Sequence, residues 1–135
     1  SEDLATIYKP FLKARSVALV KDSGYRYRLV AGSLSYSKHE EEAWAVMRKA
    51  ADEITARSPS LHPACCCRRL SFAFHVLLIS NEPGILAKTW DEIVSTRKTV
   101  LFDANARRKA RIAVAVSFLG RHATRAIGKL MHFAR

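Results

Sequence analysis

The sequence is poor in the residues that interrupt structure. Four prolines and five glycines in 135 residues are too few for a collagen-like or low-complexity chain. Cysteine is scarcer still. Cys65, Cys66 and Cys67 are consecutive and odd in number, so no disulfide framework follows from them. Zinc is a poor fit: His62, the three cysteines and His75 are candidate ligands, but adjacent cysteines rarely converge on one ion and no CxxC element is present. No metal or other cofactor is expected. Leu70 to Ser80 is the longest strongly apolar run, far short of a bilayer span. The opening residues Ser1, Glu2 and Asp3, followed by Lys9, Pro10 and Lys13, do not resemble a secretory signal. These features place the chain, by expectation, in the cytoplasm or nucleus. The sequence has no glycine-rich phosphate loop, no nucleophile elbow and no aromatic signature of an RNA-recognition sheet. His122, Asp103 and an arginine would be the only makings of a metal-independent nuclease, so a non-enzymatic role is expected.

The most informative absence is acidic. No Asp or Glu follows Asp103, while Arg107, Arg108, Lys109, Arg111, Arg121, Arg125, Lys129 and Arg135 do. The formal charge is +11, and it is unevenly spread. Residues 1–60 carry ten Lys/Arg against eight Asp/Glu, and residues 61–135 carry thirteen against four. Apolar periodicity runs through the basic region, which a disordered basic tail would lack. A folded surface that attracts an anionic partner is the first inference. At 49% hydrophobic residues, the chain has enough apolar material for one domain with its own core. We therefore expect a single basic domain over 1–135, with the Pro/Ser loop at 57–64 as its internal boundary.

Several local patterns suggest strands. Val17–Val20 and Tyr25–Ala31 flank Asp22, Ser23 and Gly24 as a hairpin would. Leu70–Ile79 is a short β-rich apolar run, and Thr99–Phe102 and Arg111–Phe118 continue the theme. In the last of these, Ile112, Val114, Val116 and Phe118 alternate with smaller residues. Helical signals are also present. Ser37 with Glu40 has capping-box spacing, and Ala43, Val46, Met47, Ala50 and Ile54 form an apolar stripe, so a helix is expected over 38–56. A short helix is expected after Pro83, and an amphipathic one from Gly120 onward. On that last helix Ala123, Ala126, Ile127, Leu130 and Met131 would face the core. The combined expectation is an α+β fold, β-β-α-β-α-β-β-α, with a mainly antiparallel sheet covered by two or three helices.

Function is expected to follow the charge. Arginine forks match phosphate geometry and lysine supplies a mobile point charge. Arg107, Arg108, Lys109 and Arg111, placed on a turn between two strands, are the leading phosphate contacts. Arg121, Arg125 and Lys129 on the last helix would extend that surface. Strand residues Arg26 and Arg28 and the pair Arg68 and Arg69 would join it if the fold gathers them. The expected partner is nucleic acid, RNA or a single strand before duplex DNA, because Tyr25, Tyr27 or Tyr36 could stack on bases. Oligomerisation would multiply the avidity of such a patch. Two alternatives use the same charge: a peripheral membrane or matrix-type structural protein on anionic lipid, and an interaction module for an acidic protein.

Overall fold

The computed structural model describes residues 6–18 and 40–133. Among these, all regular structure is helical, which overturns the expected α+β fold. The elements are α1 (Tyr8–Lys13), α2 (Glu40–Arg57), a 3-10 turn at Pro59–Leu61, α3 (His62–Ile79), α4 (Pro83–Phe102), α5 (Arg108–Ser117) and α6 (Arg121–Phe133). Most of the hairpin expected over 17–31, with Arg26 and Arg28, lies outside the described residues, as do Ser37, Tyr27 and Tyr36.

Three of the expected strands are helical for identifiable reasons. Leu70–Ile79 is the second half of α3. Its buried residues Cys66, Leu70, Ala73 and Leu77 are spaced by four, three and four, one face of a helix. The run had looked like a strand because a short apolar segment carries too little period to separate the two forms. The helix also extends eight residues upstream of Leu70. Thr99–Phe102 is the last turn of α4, whose buried stripe is Thr89, Glu92, Ile93, Thr96 and Val100. Arg111–Phe118 falls mainly in α5, where Ala110, Val114 and Ser117 are buried at helical spacing. There Ile112, one of the larger residues alternating along the expected strand, is 54% exposed. Packing overrides the β-preference of Val and Ile when alanines alternate with them.

The three expected helices do form. α2 covers 40–57 against an expected 38–56. α4 begins at Pro83, where a missing amide N–H costs nothing, but runs much longer than the short helix anticipated. α6 begins after Gly120, whose φ of +93° suits a residue without Cβ.

α3 is the hub. It packs against α2, α4, α5 and α6. Early α3 meets late α4 through Leu70 and Val100, and late α3 meets early α4 through Leu77 and Ile93, so the two helices run antiparallel. Ala110 and Val114 of α5 join the first of these clusters. Each fully buried leucine or isoleucine contributes about 1.5–3 kcal/mol. The buried threonines are satisfied locally: Thr89 Oγ1 donates to the Ile85 carbonyl and Thr96 Oγ1 to that of Glu92. α1 lies against α2, where the Tyr8 hydroxyl donates to Glu53 at 2.6 Å. That hydrogen bond holds the Glu53 carboxyl below its ordinary pKa and raises the Tyr8 phenol.

Candidate functional site, a basic pair of helices

The RRKAR segment does not cross a strand turn. Residues 103–107 form the connection, closed by Asp103, whose side chain accepts from the Asn105 amide at 2.9 Å. Arg107 is the residue preceding α5, with extended backbone, and its side chain makes no capping hydrogen bond. Arg108, Lys109 and Arg111 occupy the first turn of α5, and with Arg107 they are all exposed. Ala110 between them is buried, which fixes that turn against the core and aims its cations outward. The first turn contains no acidic residue. Among the described residues, Arg107, Arg108 and Arg111 have no ion pair and no side-chain hydrogen bond. A helix start offers free N–H groups and a partial positive charge. Four exposed cations around it raise the local potential further.

The other candidate cations are placed differently. Arg69 belongs to a partly buried ion network centred on Glu92. Its Nε lies 2.6 Å from Glu92 Oε1, and one of its terminal nitrogens lies 3.1 Å from Asp52. Arg48 approaches the second Glu92 oxygen at 3.3 Å and rests over the Trp44 ring. The Glu92 side chain is only 4% exposed. Burial pulls the Arg69 pKa down, but the Glu92 hydrogen bond and the nearby carboxylates outweigh it and hold the pKa above its usual value. The network ties α2, α3 and α4 together. Its neighbour Arg68 is exposed, beside Ile7, Tyr8 and Met47 in a cavity of about 310 Å³ between α1, α2 and α3.

Arg125 is committed to structure as well. One of its terminal nitrogens donates to the Ser80 carbonyl at 2.5 Å and to Asn81 Oδ1 at 2.8 Å. It thereby caps the C-terminus of α3, where carbonyls lack helical partners. Arg121 lines a second cavity of about 260 Å³ with Leu77, Pro83, Leu86 and His122. This cavity is at the far end of α5 from Asp103, so the conceivable His122–Asp103 pair is not assembled. Lys129 is half-buried, one residue from Gly128 on α6. The cations thus occupy several places. Arg107, Arg108, Lys109 and Arg111 cluster at the start of α5. Arg121 and Arg125 sit by the end of α3, and Arg68 faces α1 and α2.

α6 does not use its apolar stripe as expected. Ala126, Leu130 and Met131 are exposed, Leu130 at 73% and Met131 at 60%. The contact line is instead Thr124 and Gly128. Thr124 is buried and its hydroxyl donates to the Gly120 and Val116 carbonyls. A Cβ at Gly128 would lie 2.5 Å from Leu78 Cδ2. These small residues bring α6 close to α3 and rotate its large apolar residues outward. Between the helices runs an apolar groove of about 290 Å³. Lys109, Ile112, Ala113 and Val116 of α5 form one wall, Thr124, Ile127, Gly128 and Met131 of α6 the other, and Phe74 and Leu78 the floor.

Two residues outside the sequence-based set complete the picture. Glu92 anchors the ion network, and its signal was an acid placed within the Thr89–Val100 apolar stripe. Arg97 donates to the Ser117 carbonyl at 3.2 Å and stacks over Phe118 at 4.3 Å, capping α5; nothing in its local sequence announced this. The cysteines are free thiols on α3. Cys66 lies 3.4 Å from His62 Nε2, a pairing set by helical spacing, and burial pushes its thiol pKa up, which keeps it protonated and inert. His75, within the apolar Leu70–Ile79 run that had suggested a strand, is exposed. No group of three or more metal-ligating side chains occurs among the described residues. Compared with protein-family models, curated proteins and solved structures, the chain matches none of them.

Proposed function

We propose that this chain binds nucleic acid through phosphate contacts made by the start of α5, with RNA or single strands as the preferred form. One observation carries the reading: Arg107, Arg108, Lys109 and Arg111 are exposed together around an uncapped helix start, with no carboxylate in that turn. Unpaired guanidinium groups and free backbone N–H groups are complementary to phosphate. The contacts would position the polymer without reading its sequence, so binding is salt-dependent and weakly sequence-selective. Arg69 and Arg125, already engaged within the fold, take no part. Gel-shift titration of single-stranded RNA and duplex DNA across a salt series tests the reading. The expected result is a shift at low salt that fades as salt rises; no shift with either polymer at low salt refutes it.

A second reading, adsorption to anionic lipid, draws on Phe118 and Leu119, which are at least half exposed at the α5–α6 turn beside Arg121. No helix among the described residues is long and apolar enough to cross a membrane, so contact would be interfacial. Flotation with phosphatidylserine vesicles in the same salt series separates the two. Vesicle binding without a nucleic-acid shift favours lipid.

A further inference from the structure

We propose that the groove between α5 and α6 is a docking site for an acidic amphipathic helix of a partner protein. The inference uses the apolar groove, and the phosphate-binding reading does not require it.

The geometry suits a helix. Each wall contributes residues at i, i+3, i+4 and i+7, from Lys109 to Val116 on one side and from Thr124 to Met131 on the other. Seven residues of helix span about 10 Å, so the groove is long enough for two turns of an inserted helix. Its volume of about 290 Å³ is roughly twice that of an engineered 150 Å³ cavity that accepts benzene. Two or so branched or aromatic side chains on successive turns would fill it, the anchoring pattern of helix-in-groove recognition. Gly128 matters here. Having no side chain, it lets α6 close on Leu78 of α3.

Exposed apolar side chains flank the groove. Ile112 and Met131 stand on opposite walls, 54% and 60% exposed, and the flexible thioether of Met131 adapts to varied apolar surfaces. Charge selects the occupant. Lys109 lines the groove, Arg108 adjoins it in sequence on α5, and Lys129 lies on α6 between Gly128 and Met131. Neither helix carries an acidic residue. A second copy of this chain would oppose cation to cation, because each copy carries a net +11, and like charges across an interface are unfavourable. Lipid would be expected to meet protruding side chains and not a recess. A helix with apolar residues on one face and Asp or Glu beside them satisfies both the groove and its rim.

The probe is a labelled helical peptide of about 18 residues, long enough to hold helicity, with leucines at i, i+3 and i+7 flanked by glutamates. A matched peptide with lysine for glutamate is the control. Fluorescence anisotropy with the full chain should show saturable binding of the acidic peptide and much weaker binding of the basic one. Ile112→Asp with Met131→Asp should weaken binding by about tenfold or more, with an unchanged circular-dichroism spectrum. Phe102→Asp is the surface control: Phe102 is 83% exposed and outside the groove, so binding should persist. Failure of the acidic peptide to bind, equal binding of both peptides, or indifference to the double variant overturns the proposal. So does sedimentation showing a dimer that the double variant dissolves, which would assign the groove to a second copy. Vesicle binding that depends on Ile112 and Met131, with no peptide binding, would assign it to lipid.

Discussion

Arginine is used in opposite ways in two regions of this molecule. In the α2–α4 layer, Arg48 and Arg69 converge on one buried carboxylate, Glu92, with Asp52 alongside. At the start of α5, Arg107, Arg108 and Arg111 are exposed and, among the described residues, meet no carboxylate. The first set is part of the fold, and removing Glu92 would leave the largely buried Arg69 with only the exposed Asp52 for a partner. The second set adds little to stability and leaves its hydrogen-bonding capacity to whatever approaches. Between these limits, Arg97 and Arg125 cap helix carbonyls. Counting cations does not locate a binding surface; asking what each one already touches does.

The contrast can be broken most severely at Glu92. Glu92→Leu leaves Arg69, whose side chain is only 19% exposed, without its closest partner. Loss of one member of a buried pair costs about 3–5 kcal/mol, so the denaturation midpoint should fall sharply. A shift as small as that of a surface variant would show that the network is structurally idle. Leu70→Ala, at a residue with no exposed surface in the α3–α4–α5 cluster, should cost about 2–5 kcal/mol by the same measurement. Arg125→Ala removes the cap on α3 and should cost about 1 kcal/mol, with faster hydrogen exchange confined to the end of α3 and the start of α4. Arg107→Ala with Arg108→Ala and Arg111→Ala should leave stability within roughly 0.5 kcal/mol per site.

The smallest effect concerns the Tyr8–Glu53 link between α1 and α2. Because the folded pKa of Glu53 is depressed, its contribution is complete above the unfolded value, near pH 4.3. It disappears as pH falls through the lower folded value. An NMR titration should place Glu53 below an ordinary glutamate, and Tyr8→Phe should return it toward the usual range. An unmoved titration curve in Tyr8→Phe would mean that the hydrogen bond is not maintained in solution.

The sequence disclosed its helices where amphipathic stripes were long or Pro83 marked a start, as in α2, α4 and α6. It misled where β-branched residues alternate with alanine. Ile112, Val114 and Val116 read equally well as a strand, and only contacts with Val100 and Cys66 decide that Val114 faces inward. Leu70–Ile79 posed the same ambiguity, since its helical period becomes plain only when Cys66 is included. The basic segment at 107–111 was visible as charge, but its setting at a helix start was not. Arg69 and Arg125 looked identical to free surface arginines because their partners, Glu92 and Ser80, lie 23 and 45 residues away. Local sequence carries no record of such pairings. The outward turn of Leu130 and Met131 was hidden too. It depends on Gly128 meeting Leu78, a close approach that the apolar stripe alone does not imply.

The division of arginines into structural and available sets is tested most directly by the salt dependence of RNA binding. The affinity of the full chain for single-stranded RNA should be measured from low to moderate salt, beside the triple variant R107A/R108A/R111A. Each phosphate contact on a single strand contributes roughly 0.7 to the log–log slope, so the variant should bind more weakly and its slope should flatten by about 2. An unchanged slope and affinity, with the fold intact by circular dichroism, would show that the start of α5 is not where the anion binds.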